Sequence, residues 1–247
     1  MRLLETKNLT IKIANKTIIK NLNWQINTNE KWAILGENGV GKTTLLNTLA
    51  NLYNNYSGDV FYKDKRKNNY SLKEIAKFIG VLSQHNYSEF SLSVFDFAIS
   101  GRYPYLDTYQ LWENEDDINI TNNALNQVGL LNYKNKNSHE LSGGEYQKLK
   151  IATILTQSPN IYLLDEPNTH LDIKHQIELL TLLNKNDNTI MAIHDINLAY
   201  RFCTHILIML NNSQYILGNK ETVFNAKNLS KAFNYPIINK NGYFHYE

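Results

Sequence analysis

At 247 residues the chain has room for one large domain, or for a domain carrying a smaller lobe. Hydrophobic residues make up 43% and charged residues 19%, which supports a buried core and excludes wholesale disorder. A formal net charge of +2 gives no argument for nucleic acid as partner, and the single cysteine, Cys203, excludes an intrachain disulfide.

The opening, "MRLLETKNLTIKIANK", holds no continuous apolar stretch followed by a small-residue cleavage site, so no signal peptide is expected. Alternation in "LTIKI" and "TIIKNLNWQI" around "ANK" predicts an antiparallel hairpin. "KWAILG" reads as a strand ending in glycine, and "KTTLLNTLANL" has helical apolar spacing. From about 86 to 140 the pattern changes. "SVFDFAISGRY" and "EDDINITNNALNQVGLL" read as helices with few strand signals, which predicts an inserted helical lobe. "NIYLLDEP" and "TIMAIHD" then read as short buried strands, each ending on charged residues before a helix. This repeat of strand, loop and helix predicts an α/β fold with a mostly parallel core sheet covered by helices. No window approaches 18 apolar residues, and the strongest run, "HILIML", has the length of a core strand. The chain is thus expected to be cytosolic. A main domain is expected over 1–218, with 219–247 a short extension packed on it, formed by a helix at "KNLSKAF" and a final strand.

Gly36, Gly41, Lys42 and Thr43 complete the pattern G-x-x-x-x-G-K-[ST] between a predicted strand and a predicted helix. Glycines let such a loop fold around phosphates and aim backbone N–H groups at them, and the helix N-terminus adds its dipole. The nucleotide-binding run is therefore Gly36, Glu37, Asn38, Gly39, Val40, Gly41, Lys42, Thr43 and Thr44. Lys42 is expected on the β- and γ-phosphates, Thr43 on Mg²⁺ and Thr44 on the α-phosphate. The strand "IYLLDEP" ends on two carboxylates that alternate in direction, so they can take different tasks. Asp165 is the candidate Mg²⁺ ligand and Glu166 the group that polarises the attacking water. Taken alone, the pair is equally a solvated strand end before a proline stop. "LSGGEYQ" offers a second anion-binding element at Ser142, Gly143, Gly144 and Glu145, or, by itself, only a serine-capped helix start.

"GENGVGKTT", Gln84 in "GVLSQ", "LSGGEYQ", "LLDEP", "THLD" and His194 in "AIHD" occur in the order found in ATP-binding-cassette (ABC) ATPases, which the chain resembles over Leu3 to Leu217. That resemblance implies a P-loop cassette with an N-terminal antiparallel β subdomain and an inserted helical subdomain. It also implies a head-to-tail pair of identical chains, in which the signature of one faces the ATP held by the other. Ser142, Gly143 and Gly144 then contact the partner's γ-phosphate, and Asp172 sits at the seam. Gln84 ligates Mg²⁺ or water, and His194 hydrogen-bonds the γ-phosphate. In the aromatic position that usually stacks on adenine this chain has Ile13, with Ile18 as a possible helper, so the stacking interaction is absent and base selectivity is expected to be weak.

The segment "SLSVFDFAISGRYPYLDTY" resembles importer ATPases for iron-siderophore, haem and cobalamin uptake. It implies two ATPase copies beneath membrane permease subunits, at the cytoplasmic face of the membrane, fed by a substrate-binding protein. Ferric siderophore is the first expectation for the cargo. Haem or cobalamin, an exporter, and a soluble non-transport ABC ATPase are the alternatives. Phe95, Phe97, Tyr103 and Tyr105 suit a groove for a permease helix, or the lobe's own core.

Overall fold

The computed structural model describes residues 1–83, 91–106, 113–169, 171–185, 188–240 and 242–247. Gln84, expected at the nucleotide site, lies outside these described residues. The predicted opening hairpin is β1 (Arg2–Ile13) and β2 (Lys16–Asn27), turning at Ala14, whose φ is +47°. It joins β4 (Tyr56–Tyr62) and the short β5 (Lys65–Arg66) in an antiparallel sheet of order β2-β1-β4-β5. The core sheet has the order β10-β9-β3-β8-β7-β6. Its parallel members are β3 (Lys31–Leu35), β6 (Ile79–Leu82), β7 (Ile161–Asp165), β8 (Thr189–Ala192) and β9 (His205–Met209). Only the edge strand β10 (Tyr215–Asn219) runs antiparallel to its neighbour.

Strand periodicity divides the interior in two. Trp32, Ile34, Ile161, Leu163, Leu207 and Met209 face one core, which they share with the antiparallel sheet and with α1 (Lys42–Leu49) and α2 (Leu72–Phe78). Their neighbours Ala33, Leu35, Tyr162, Leu164, Ile206 and Ile208 face the other. That core is completed by α3 (Val94–Ile99), α4 (Glu115–Gln127), α5 (Gly143–Gln157), α6 (Ile173–Leu183) and α7 (Ile196–Phe202). Both faces of the sheet are covered, which is why these strands read as continuous apolar runs. The C-terminal segment adds α8 (Lys220–Val223), α9 (Ala226–Phe233) and a hairpin of β11 (Ile237–Lys240) with β12 (Tyr243–Tyr246). Leu229, Ile237 and Phe244 bury themselves in the second core. Among the described residues no helix is long and apolar enough to cross a membrane.

One buried charge supports the phosphate-loop helix from behind. Lys67 is 1% exposed; its ammonium donates to the Thr48 carbonyl at 3.1 Å, near the C-terminus of α1, and lies 4.4 Å over the Tyr56 ring. A cation there complements the helix dipole. Burial without a paired carboxylate lowers the Lys67 pKa from 10.5 to about 8. Because the folded value lies below the unfolded one, the charge costs stability below pH 8, and that cost fades as pH rises toward 10.5. Unfolding free energy should therefore gain about 2 kcal/mol from this group between pH 7 and 9.5. Lys67→Met should flatten that rise in urea denaturation series; an unchanged slope would contradict the assignment.

Candidate functional site

The phosphate loop leaves β3 and enters α1 at Gly41, whose φ is +110° and whose missing Cβ would lie 2.0 Å from Ile18 Cγ2. Only glycine fits there. Ile18 is 5% exposed and packs beneath the loop, so the expectation that it helps cover the base is corrected. Ile13 is 42% exposed and stands at the rim of the cleft. That cleft holds about 630 Å³ and is lined by Ile13, Asn38, Gly39, Gly41, Lys42, Thr43, Thr44, Glu166 and His194. Lys42 Nζ donates to the carbonyls of Gly36 (2.8 Å) and Glu37 (3.1 Å), across the concave side of the loop. Burial lowers its pKa, and the charges of Glu166 and Asp165 oppose that shift. Val40 turns into the core, and the Glu37 carboxylate accepts a 2.5 Å hydrogen bond from Asn211, so neither side chain lines the cleft.

The two carboxylates of β7 diverge as strand alternation requires. Asp165 is 4% exposed, and neither of its oxygens has a hydrogen bond of good geometry. Burial raises its pKa, the Thr43 hydroxyl opposes that, Glu166 adds to it, and the charges of Lys42 and His194 again oppose. Glu166 points into the cleft from a left-handed backbone, φ +50°, braced by its N–H to the Ala192 carbonyl (3.0 Å) and by the Thr169 hydroxyl on its own carbonyl (3.0 Å). A non-glycine residue held there is a strained position of the kind found at functional sites. The parallel register pairs Asp165 with Ala192, which brings Glu166 and His194 to neighbouring strand ends. His194 Nε2 meets Glu166 Oε1 directly.

The signature lies elsewhere. Ser142 caps α5 in a reciprocal box with Glu145: its N–H and its hydroxyl both donate to Glu145 Oε2, at 2.9 and 2.7 Å. Asp172 caps α6, accepting from the His175 N–H at 2.9 Å and contacting His175 Nδ1 at 2.8 Å. Ser142, Gly144, Glu145, Lys148, Leu171, Asp172 and His175 line a separate cleft of about 360 Å³ that shares no residue with the first. The chain alone thus does not bring its two anion-binding elements together. Gln147, 4% exposed, donates to the Pro167 carbonyl at 2.9 Å and ties the signature helix to the turn after Glu166. Lys148 and His175 were not singled out from the sequence. Lys148 lies one helical turn beyond Gly144, and His175 lies one turn beyond the Asp172 cap; that spacing is the available signal.

In the "GRYP" segment Arg102 is buried, pairs with Asp117 at 2.7 Å, donates to the Thr156 carbonyl at 3.2 Å and carries the Tyr105 ring 3.9 Å away. Phe95 and Phe97 pack against the lobe's core, and Phe97 meets Tyr146 edge-on at 5.7 Å. Of the four aromatics read as suited to a permease groove, Tyr103 alone is largely exposed, at 58%. Most of this segment therefore holds the lobe together.

The family model for ABC transporters matches residues 19–169. The chain belongs to the ABC transporter family. It is 36% identical over 235 residues to the petrobactin import ATP-binding protein FpuD of Bacillus anthracis, covering 93% of this chain and 86% of that one. The ferric enterobactin transport ATP-binding protein FepC of Escherichia coli (strain K12) is 33% identical, with the same coverage of both chains. Among solved structures, the ATP-binding cassette MJ0796, a dimer in a post-hydrolysis state bound to ADP and Pi, superposes with a TM-score of 0.75 at 26% identity, covering 88% of this chain and 98% of that one. The chain is accordingly an ATP-binding, ATP-hydrolysing cassette. Cassettes of this family work as dimers with membrane permease components.

Proposed function

We propose that this ABC ATPase powers uptake of a metal chelate, a ferric siderophore first among them, from the cytoplasmic face of the membrane. It acts there beneath permease subunits fed by a substrate-binding protein. The names of the relatives support the cargo class, and their mutual similarity across petrobactin and enterobactin systems favours siderophore over haem or cobalamin. The observation that carries the mechanism is the separation of the two clefts. A cassette that keeps Lys42 and Ser142 apart needs a second copy, head to tail, to close a triphosphate between them. A Cβ on Gly143 would meet nothing within 4 Å, which leaves that face open to a partner's phosphates.

In this reading Gly36 to Thr44 hold the phosphates through backbone N–H groups, with Lys42 on the β- and γ-oxygens and Thr44 on the α-phosphate. Ile13 covers the base without stacking on it. Ser142, Gly143 and Gly144 reach the γ-phosphate from the other protomer, with Glu145 fixing Ser142 and Asp172 at the seam. Glu166 accepts the proton of the attacking water, and His194 holds the Glu166 carboxylate in place and reaches toward the γ-phosphate. The buried, unsatisfied Asp165 beside Thr43 fits the demands of Mg²⁺, which binds through one or two protein oxygens and the phosphates. Thr43 and Asp165 would hold the ion, with Gln84 as a further ligand. It would supply charge neutralisation on the phosphate oxygens. Among the described residues no cluster of three or more His, Cys, Asp or Glu could form a protein-only cage, in keeping with an ion carried largely by the nucleotide.

Affinity purification from detergent-solubilised membranes tests the transport assignment. Recovery of a permease, with ATP-dependent ferric-siderophore uptake in reconstituted vesicles, is the expected result. Recovery of ribosomal or DNA-repair components, or of a permease that moves cargo outward, would overturn it.

A further inference from the structure

His194 ends the β8 segment, and Asp195 follows as the cap of α7, accepting the N–H groups of Asn197 (2.8 Å) and Leu198 (2.9 Å). The Asn197 side chain points away from that cap and grips one residue of β12 at both ends. Its amide donates to the Phe244 carbonyl at 3.1 Å, and its oxygen accepts the Phe244 N–H at 3.0 Å. Among the described residues these are the hydrogen bonds that join α7 to the terminal hairpin. A cavity of about 580 Å³, lined in part by Asp195, Leu198, Arg201 and Tyr243, lies beside the amide, so packing does not fix the first turn of α7 on that side.

The anchor is itself rigid. Phe244 is 4% exposed and meets Phe224 edge-on at 4.9 Å, and Phe224 and Tyr200 stack at 5.1 Å. Lys220 donates to the Tyr200 carbonyl at 3.0 Å, near the far end of α7. The hairpin ends are closed by Tyr235 on the Glu247 carbonyl (2.8 Å) and by the Glu247 N–H on that of Pro236 (3.0 Å). An amide that pairs with both backbone groups of one strand residue specifies position, because each bond fails with a small shift of either element.

We infer that Asn197 is a positioning residue, and that the C-terminal hairpin acts through it to hold His194 against Glu166 during ATP hydrolysis. This rests on the roles proposed for Glu166 and His194. The tail is thus a fixed support for the switch histidine.

The test is a double-mutant cycle on the purified ATPase, comparing wild type, Asn197→Ala, His194→Ala and the pair, with melting temperature as a folding control. Asn197→Ala should lower kcat about tenfold and leave KM for ATP within about twofold. In the His194→Ala background it should cost nothing further, since its effect passes through that side chain. A loss caused by general loosening would persist in that background. Asn197→Asp keeps the acceptor for the Phe244 N–H and loses the donor, so it should fall between wild type and alanine. Wild-type kcat in Asn197→Ala, or a loss of the same size in both backgrounds, would overturn the inference alone. Full activity in His194→Ala would overturn the site reading with it.

Discussion

Glu166→Gln should reduce steady-state ATP hydrolysis by about 10²- to 10⁴-fold while leaving ATP bound. The substitution keeps the shape of the side chain and an oxygen that can face His194, and it asks no more of the +50° backbone than glutamate does. What it removes is the negative charge able to take a proton from water. Because binding is untouched, the variant should also accumulate as an ATP-bound dimer, visible by size-exclusion chromatography in ATP. Steady-state turnover within about tenfold of wild type would contradict the role of Glu166.

Lys42→Ala should weaken triphosphate binding by about 100-fold, close to the 3 kcal/mol that a charge-assisted phosphate contact contributes. The buried ammonium also holds the Gly36 and Glu37 carbonyls to the concave side of the loop, so its loss both removes a charge and loosens the cradle. Titration with a fluorescent ATP analogue measures the effect. A Kd within about threefold of wild type would mean that the backbone N–H groups alone supply the affinity.

Much of the nucleotide site was legible in the sequence because its chemistry is contiguous. A loop from Gly36 to Thr44 and a strand ending at Asp165 and Glu166 each carry their own signature, and α1 and β7 lie where those motifs require. What local pattern cannot give is contact between distant segments. Ile13 and Ile18 sit on one hairpin and read alike, yet one stands at the cleft rim and the other under Gly41, decided by a register with several bulges. The aromatics of 95–105 read as a docking face, but a buried Arg102–Asp117 pair draws Tyr105 inward. Asn197 looks like any surface amide until β12 is placed beside it. Other elements left weak signals. The capping box of Ser71 and Glu74 was present for α2, whereas β4 exposes much of its length and β6 has only four residues.

The central claim is that the signature of one chain closes the phosphate cleft of another. Asn38→Cys and Ser142→Cys placed in one Glu166→Gln chain test it most directly, using a short bifunctional thiol reagent with and without ATP. Asn38 and Ser142 line the two separate clefts. The native Cys203 is buried, with its thiol pKa pushed up to about 12, and stays out of the reaction. The account predicts a product of twice the chain mass that forms only with ATP. Closure within a single chain, or no ATP-dependent dimer product, would contradict it.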